Sequence, residues 1–290
     1  MTATWRLKGI FHVPWSIVPD PKNFPLPREN KMAIHPTAII DCSCDIAPTA
    51  SVGPYCVIGP ETSIGAGVTL DAYVHVYGWT TVGERCRFYS HASVGADPQD
   101  LKYKGEKTFL RVGSGNVFHE FVTLHRGTPG GHGETVIGNN NFVMTGSHIA
   151  HDCTVGDNII MANAATLAGH VTVGDHATVG AFSAVHQFCR VGAHAFIGGF
   201  SVVTRDALPF IKTVGARNEA GIYDVNAIGL RRKGFSEECI RELKRAYRLL
   251  FRSGLNTGEA LTKVKAEAWT FPETAFLIEF IESSKRGFIR

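Results

Sequence analysis

Apolar residues recur at every sixth position along much of the chain. One run covers 34–94, a second covers 137–203, and Val112, Phe118 and Leu124 form a short link between them. A period of six fits neither a helix, with 3.6 residues per turn, nor an alternating strand. It is typical of a parallel β-helix, in which each repeat supplies one short strand and one turn. Three such repeats would form one triangular coil of eighteen residues, with the apolar side chains stacked inside.

Glycine often follows the apolar residue of a repeat, as at Gly53, Gly65 and Gly83. We interpret these glycines as turn residues with a backbone conformation that other residues avoid. The position four residues after the apolar one is small or of moderate size, and we expect it to point inward. We therefore expect its cysteines to be buried small groups rather than metal or redox groups. They are Cys44, Cys56, Cys86, Cys153 and Cys189.

Two segments, 95–111 and 125–136, break the six-residue register. Both are polar and rich in glycine and proline, so we predict loops that leave the β-helix. After Val203 the spacing becomes helical. We divide the chain into a flexible N-terminal leader or tail (1–31), the β-helix (32–208), and a linker with a C-terminal helical domain (209–290).

Three features support helices in the C-terminal part. Asn256 and Glu259 resemble a capping pair, and Pro272 can begin the last helix. An apolar stripe at helical spacing precedes them. It consists of Ile240, Leu243, Ala246, Tyr247, Leu250 and Phe251.

Composition adds modest limits on function. The net charge of +3, with 44% hydrophobic and 19% charged residues, indicates a soluble globular chain and gives no reason to expect nucleic-acid binding. Seven cysteines without a CxxC pair favour a reducing compartment, and we expect a cytoplasmic protein. No apolar stretch reaches the ~18 residues of a membrane helix, so we expect no stable membrane insertion.

Histidines are concentrated in the second run of repeats. The repeats at Ile149, Leu167 and Val185 are eighteen residues apart and should stack on one face. We therefore expect His151, His170 and His186 to line that face in adjacent layers, ~4.8 Å apart. His148 should lie beside the turn into the same face, whereas we interpret His176 and His194 as ordinary surface histidines.

Convergent histidines permit two chemistries. One is zinc binding by three histidines, as in β-helix trimers of the γ-carbonic-anhydrase kind. The other is general-base catalysis by one histidine, with the others holding an anionic substrate. Asp152 follows His151 directly, and its carboxylate would orient the imidazole in either case. The alternative is a purely structural role, in which these histidines simply occupy turn positions.

Several motifs carry a resemblance to a known family. "HIAHDCTVG", "LAGHVTVG", "AVHQFCRVG", "PQDLKYKGE", "TLHRGT" and "GLRRKGFS" resemble the bacterial UDP-N-acetylglucosamine O-acyltransferases over Ile34 to Arg290. The resemblance implies a left-handed parallel β-helix and a homotrimer with active sites in clefts between subunits. It implies transfer of a 3-hydroxyacyl group from acyl carrier protein to the 3-hydroxyl of UDP-N-acetylglucosamine, in lipid A biosynthesis, with no cofactor or metal.

The resemblance also assigns roles to residues. It implies that His151 is the general base, that Asp152 orients it, and that the Gly169 N–H stabilises the oxyanion. It implies that the remaining matches contact the sugar, the diphosphate, the uridine or the acyl group. They are Asp100, Lys102, His125, His148, His170, His186, Gln187, Gly199, Asn226, Arg232 and Lys233. The chain departs from the family at Ala227 and Ile228, where an acidic residue is expected, and 217–226 is two residues longer.

Four other functions compete with this one. The later N-acyltransferase of the pathway carries an N-terminal uridine-binding domain, for which a repeat beginning at Ile34 leaves no room. An enzyme that acylates a 3-amino sugar would use the same motifs. A γ-type carbonic anhydrase would have no use for "LAGH" or "GLRRKG". A non-catalytic scaffold would leave the histidines and both loops unexplained.

Overall fold

Very short strands build the structure, a computed structural model that describes residues 33–290. The predicted N-terminal leader (1–31) lies outside the described residues. Most strands have two residues, of which the second is the apolar residue of its repeat and is buried. In chain order the strands are β1 Ala33–Ile34, β2 Ile39–Ile40, β3 Asp45–Ile46, β4 Ser51–Val52, β5 Val57–Ile58, β6 Ser63–Ile64, β7 Thr69–Leu70, β8 His75–Val76, β9 Thr80–Val82, β10 Arg87–Phe88, β11 Ser93–Ala96, β12 Phe109–Val112, β13 Val117–Phe118, β14 Thr123–His125, β15 Glu134–Ile137, β16 Phe142–Val143, β17 His148–Ile149, β18 Thr154–Val155, β19 Ile160–Met161, β20 Thr166–Leu167, β21 Thr172–Val173, β22 Thr178–Val179, β23 Ala184–Val185, β24 Arg190–Val191, β25 Phe196–Ile197, β26 Val202–Val203, β27 Ile211–Val214 and β28 Gly221–Val225.

The strands stack into three sheets, which are the three faces of a prism. Over residues 33–290 the first face runs β1-β4-β7-β10-β13-β16-β19-β22-β25-β27-β28, the second β2-β5-β8-β11-β14-β17-β20-β23-β26, and the third β3-β6-β9-β12-β15-β18-β21-β24. Ile149 pairs with Leu167, and Leu167 with Val185, in parallel register, as the eighteen-residue coil predicts. The fold is a left-handed parallel β-helix with a C-terminal helical domain, which confirms the predicted fold class.

The glycines that follow the apolar residues have a different cause from the predicted one. Gly53, Gly65 and Gly83 do not have positive φ. A Cβ at Gly65 would lie 2.7 Å from the carbonyl carbon of Gly83, and one at Gly83 would lie 2.8 Å from that of Gly113. Glycine is therefore required because the backbones of adjacent coils approach closely. Positive φ occurs instead at the second residue of the turns, including Asp152 (59°) and His170 (62°).

The two predicted loops are real but shorter than expected. β12 pairs with β9 and β15, so 109–111 and 134–136 belong to the third face, although 95–111 and 125–136 were predicted as loops. Ala96 and His125 likewise pair between β11 and β14. The segments outside the strands are 97–108 and 126–133, and both leave the corner between the second and third faces. Strand pairing with neighbouring coils extends further than the six-residue pattern indicates.

The predicted linker also contains strands. β27 continues the first face in parallel with β25, and β28 turns back antiparallel to β27. The helices α1 Ala227–Arg232, α2 Glu237–Phe251, α3 Thr257–Ala266 and α4 Pro272–Glu282 follow. Asn256 and Glu259 form a capping box, and Pro272 is the first residue of α4, as predicted.

The C-terminal domain has its own apolar core against the last coils. Five of the six stripe residues on α2 are buried there, and Phe251 is half-buried. The side chain of Arg190 joins the two parts, because Nε donates to Asp206 at 2.9 Å and Nη2 to the Phe280 carbonyl at 2.9 Å. Within residues 33–290, no helix combines the length and apolar character needed to cross a membrane.

The cysteines lie where the repeat places them. Cys56, Cys86, Cys153 and Cys189 are buried in the β-helix core, and Cys44 is half-buried against it. Burial raises the pKa of the Cys153 thiol to about 12. These thiols are therefore protonated, poorly reactive core groups.

Candidate active site

One corner of the prism collects the chemically active residues. Both loops, 97–108 and 126–133, leave the corner between the second and third faces. The turns after β17 and β20 lie at that same corner and carry His151–Asp152 and Gly169–His170. Since the coil has eighteen residues, Gly169 lies one layer from His151, and His170 one layer from Asp152.

Asp152 is a buried carboxylate surrounded by donors. Oδ1 accepts from the His132 N–H at 2.8 Å, and Oδ2 accepts from Thr128 Oγ1 at 2.7 Å and from His151 Nδ1 at 2.8 Å. The Thr128 N–H lies 3.1 Å from both oxygens. Burial opposes ionisation, but the hydrogen bonds from His151 and Thr128 outweigh it and lower the pKa of Asp152 to about 2. Asp152 is therefore a fixed negative charge at neutral pH.

The bond to Asp152 defines the state of His151. An ionised carboxylate can only accept hydrogen bonds, so Nδ1 of His151 carries a proton, and in the neutral imidazole the lone pair therefore lies on Nε2. The ring lies directly against Gly169: a Cβ built there would be 2.7 Å from Cε1 and 2.8 Å from Nε2. Any side chain at position 169 would displace the imidazole. Glycine is thus required at this position for the basic nitrogen to lie where it does.

The Gly169 N–H is available to a ligand. Within residues 33–290 it has no backbone or side-chain acceptor, although its carbonyl accepts from the Phe188 N–H. A free N–H beside the basic nitrogen of His151 is the arrangement that a base-catalysed acyl transfer needs.

His170 lies in the next layer. Its ring is 5.3 Å from that of His151 between centroids and stacks on Phe188 at 4.4 Å. Nε2 of His170 is 3.9 Å from Oδ2 of Asp152. Burial lowers the pKa of His170, and the negative charges of Asp152 and Asp100 oppose this shift. The influence of Asp100 indicates that the first loop approaches the histidines.

His125 and His148 form a second pair on the second face. Their ring centroids are 5.0 Å apart, and Nδ1 of His148 is 2.7 Å from Thr123 Oγ1. Burial, with the nearby His125 and His151, lowers the pKa of His148 to about 4. Burial lowers the pKa of His125 as well, so both histidines are suited to neutral hydrogen bonding rather than to holding a positive charge.

His132 also belongs to this cluster, and the sequence did not indicate it. Its ring is exposed and lies 6.1 Å from that of His170 between centroids. The loop can pass this close because Gly131 has no side chain: a Cβ there would be 2.4 Å from the Asp152 carboxylate. Ligand atoms of His132, Asp152 and His170 all lie within 4.8 Å of one another. Because this loop lies outside the repeat, its sequence has no period from which the position of His132 could be predicted.

The other predicted site residues are spread over the corners and the first loop. His186 and Gln187 are exposed one layer beyond Ala168 and Gly169, and Nδ1 of His186 is 3.1 Å from the Gln187 carbonyl. In the first loop, the Lys102 N–H donates to Asp100 at 2.9 Å. Gly199 is exposed at the corner between the first and second faces. Asn226 caps α1 and donates to the His194 carbonyl at 3.2 Å, at the corner between the third and first faces. Arg232 and Lys233 are exposed at the end of α1.

His176 and His194 are not the ordinary surface histidines predicted. Both are half-buried, with ring centroids 4.7 Å apart, and His194 contacts Phe235 at 4.9 Å. Burial, with the nearby His176 and Lys233, lowers the pKa of His194 to about 4. The helical domain covers this corner, which the repeat pattern alone does not show.

Comparisons with known proteins agree with this geometry. Residues 206–289 match the family described as "Udp N-acetylglucosamine O-acyltransferase; Domain 2", and 61–96, 134–169 and 170–205 match bacterial transferase hexapeptide repeats. The acyl-[acyl-carrier-protein]–UDP-N-acetylglucosamine O-acyltransferase of Syntrophobacter fumaroxidans is 46% identical over 259 residues, which are 89% of this chain and 100% of that protein. The enzyme of the same name from Trichlorobacter lovleyi is 57% identical over 208 residues, 71% of this chain and 80% of that protein.

A solved structure has the same architecture. The UDP-N-acetylglucosamine O-acyltransferase of Moraxella catarrhalis superposes with a TM-score of 0.86 at 44% identity, over 89% of this chain and 100% of that one. Near-complete coverage at this identity, together with the helical-domain match, decides the relationship. This chain belongs to the UDP-N-acetylglucosamine O-acyltransferase family.

Proposed function

We propose that this protein transfers a 3-hydroxyacyl group from acyl carrier protein to the 3-hydroxyl of UDP-N-acetylglucosamine, the first step of lipid A biosynthesis. The names of its relatives give the donor and the acceptor. The observation that carries the proposal is the 2.8 Å hydrogen bond from His151 to the buried Asp152, with the ring against Gly169, whose N–H has no acceptor within the described residues. All seven cysteines are free thiols, which suits a reducing compartment, so we infer that the reaction takes place in the cytoplasm.

The geometry supports a two-step acyl transfer. Nε2 of His151 takes the proton of the sugar hydroxyl as its oxygen attacks the thioester carbonyl. The resulting oxyanion accepts a hydrogen bond from the Gly169 N–H, an interaction typically worth about 2.7–4 kcal/mol. The intermediate then expels the carrier thiolate, and His151 returns the proton to that sulfur. Asp152 keeps its charge throughout and stabilises the imidazolium that forms between the two steps.

The remaining predicted residues suit substrate binding. Asp100, with Lys102, belongs to the first loop and lies close enough to influence His170. His170, His186 and Gln187 lie at the catalytic corner, and His125 and His148 lie on the adjoining second face. Asn226, Arg232 and Lys233 would bind the uridine diphosphate, since cations suit diphosphate oxygens. Gly199 would leave room for the acyl chain: a Cβ there would find no atom closer than 3.3 Å.

A homotrimer explains why these residues lie at different corners of one chain. The histidines, Gly199 and the residues around Asn226 occupy the three different corners of the prism, so one chain cannot place them around a single small substrate. Two neighbouring prisms in a trimer can bring different corners together in a shared cleft. Sedimentation should give three chains per particle. A fully active monomer would overturn the shared cleft.

The direct test of the reaction is product analysis. The protein is incubated with UDP-N-acetylglucosamine and a panel of 3-hydroxyacyl carrier proteins, and the products are weighed by mass spectrometry. We expect a nucleotide sugar heavier by one 3-hydroxyacyl group, with an ester that alkaline hydroxylamine cleaves. A hydroxylamine-stable amide formed only from a 3-amino sugar nucleotide would show N-acylation instead. No product with any carrier would overturn the proposal.

A further inference from the structure

Three imidazoles surround one buried carboxylate at the catalytic corner, and only one of them is needed as the base. His151 uses Nδ1 to bind Asp152, whereas His132 and His170 are not hydrogen-bonded to it through their rings. The His132 ring is exposed and the His170 ring is partly exposed, so a small ion can reach both from solvent. Their nitrogens and the Asp152 carboxylate lie within 4.8 Å of one another.

We propose that His132, His170 and Asp152 form a binding site for a divalent transition-metal ion such as Zn²⁺ or Co²⁺. Two imidazole nitrogens with one carboxylate oxygen are donors that these ions accept, whereas Mg²⁺ and Ca²⁺ prefer oxygen ligands. Zn–N bonds of about 2.0–2.1 Å put tetrahedral ligands about 3.3 Å apart. The ligand atoms must therefore move closer together, since Nε2 of His170 is 3.9 Å from Oδ2 of Asp152. The exposed His132 can move inward because it lies in a loop.

Binding at this site would compete with the catalytic hydrogen bond. A carboxylate has about four lone-pair positions, and those of Asp152 accept from the Thr128 N–H, Thr128 Oγ1, the His132 N–H and His151 Nδ1. Oδ2 is the oxygen nearest His170 and also the one that accepts from His151. A metal bound to Oδ2 would displace that bond. The ion would therefore inhibit the enzyme and would not serve as a cofactor.

Metal binding is tested directly with Co²⁺, whose visible absorption reports tetrahedral coordination. The full-length protein should give the absorption of one bound Co²⁺ per chain, displaced by Zn²⁺ and not by Mg²⁺. His132→Asn keeps the backbone N–H to Asp152 but removes the imidazole, and it should weaken Co²⁺ binding at least about tenfold. His170→Asn should do the same. His176→Asn, at the histidine pair outside this cluster, is the matched control and should bind like the unchanged protein.

The inhibitory effect rests on the proposed function, but the binding does not. General-base catalysis is worth about 10²–10⁴-fold, so saturating Zn²⁺ should lower kcat at least about tenfold, and a chelator should reverse this. For His132→Asn, the ratio of rates with and without Zn²⁺ should approach one. Absence of a Co²⁺ spectrum, or equal binding by His132→Asn, would overturn the site even if acyl transfer is confirmed. Binding without acyl transfer would overturn only the proposed function.

Discussion

At the scale of single residues, His151 carries the chemical step. His151→Ala removes the only imidazole bonded to Asp152 through Nδ1 within the described residues, and it leaves the β-helix core untouched. We expect kcat to fall about 10²–10⁴-fold because a sugar hydroxyl is too weak an acid to ionise unaided at neutral pH. The KM for the sugar nucleotide should change little. Steady-state kinetics on the purified variant measure both quantities.

His186→Ala is the matched control for His151→Ala. It also removes a histidine from this corner, but one that is exposed and whose ring, within the described residues, bonds only to the neighbouring Gln187 carbonyl. We expect it to raise the KM for substrate more than it lowers kcat. Near-normal kcat in His151→Ala would refute the general-base assignment.

The period of the sequence could predict part of this cluster. His151 and His170 meet because the coil has eighteen residues, and that length follows from the apolar repeat alone. The cause of the glycine at position 169 could not be predicted, since it depends on the rotamer of His151. His132 was beyond prediction because its position depends on how a glycine-rich loop folds over Asp152.

At the scale of elements, Arg126 holds the first loop in place. Its guanidinium is buried, donates to the Gly95 carbonyl at 2.7 Å and to Tyr103 Oη at 3.0 Å, pairs with Asp97, and lies over Trp79. Hydrogen bonds to charged groups contribute about 1.5–3 kcal/mol each. Arg126→Met should therefore loosen the segment that carries Asp100 and Lys102. We expect the KM for the sugar nucleotide to rise about tenfold or more, with kcat much less affected.

Tyr103→Phe removes one of these contacts and is the milder comparison for Arg126→Met. It should raise the same KM by a smaller factor, because the bonds to Gly95 and Asp97 remain. If Arg126→Met lowered kcat and left KM unchanged, the loop would not bind the sugar.

The existence of both loops was predictable from the broken register, but their ends were not, because β12 and β15 pair with neighbouring coils across residues that lack the repeat.

At the scale of the whole molecule, stability should depend on two half-buried histidines. Burial lowers the pKa of His148 and of His194 to about 4, from an ordinary value near 6.5. The unfolded chain therefore binds more protons than the folded chain between these values. The contribution of these histidines to the free energy of unfolding should be fully present above pH 6.5. It should fall as the pH drops from 6.5 toward 4, by on the order of 1–3 kcal/mol for each histidine. Denaturant unfolding at pH 7.5, 5.5 and 4.5 measures this loss.

His194→Phe tests which group causes the acid sensitivity. Phenylalanine suits a site bounded by Phe210 and Phe235, and it cannot take up a proton. The variant should lose less stability than the unchanged protein between pH 6.5 and 4. If the free energy of unfolding fell equally steeply with pH in both proteins, His194 would be ruled out as a contributor. Sequence alone could not predict this behaviour, because the helical domain that contacts His194 follows the repeats and its docking position is not encoded in their period.

The docking of acyl carrier protein is also a property of the whole molecule, because an acidic partner would meet the cations that α2 presents. Arg245 is partly engaged, since it bonds to the Ala268 carbonyl and lies over Trp269, and Arg231 pairs with Glu237. Lys244 and Arg248, one turn apart, are better test positions than Arg245 and Arg231, because reversing their charges breaks none of these contacts. Reversing both to glutamate should raise the KM for acyl carrier protein several-fold and leave that for the sugar nucleotide unchanged. High salt should reproduce the effect, since exposed charges are screened over ~8–10 Å. Lys263→Glu, an exposed cation on α3, is the control for added negative charge and should have little effect. Equal changes in both KM values, or an equal effect of Lys263→Glu, would place the carrier elsewhere.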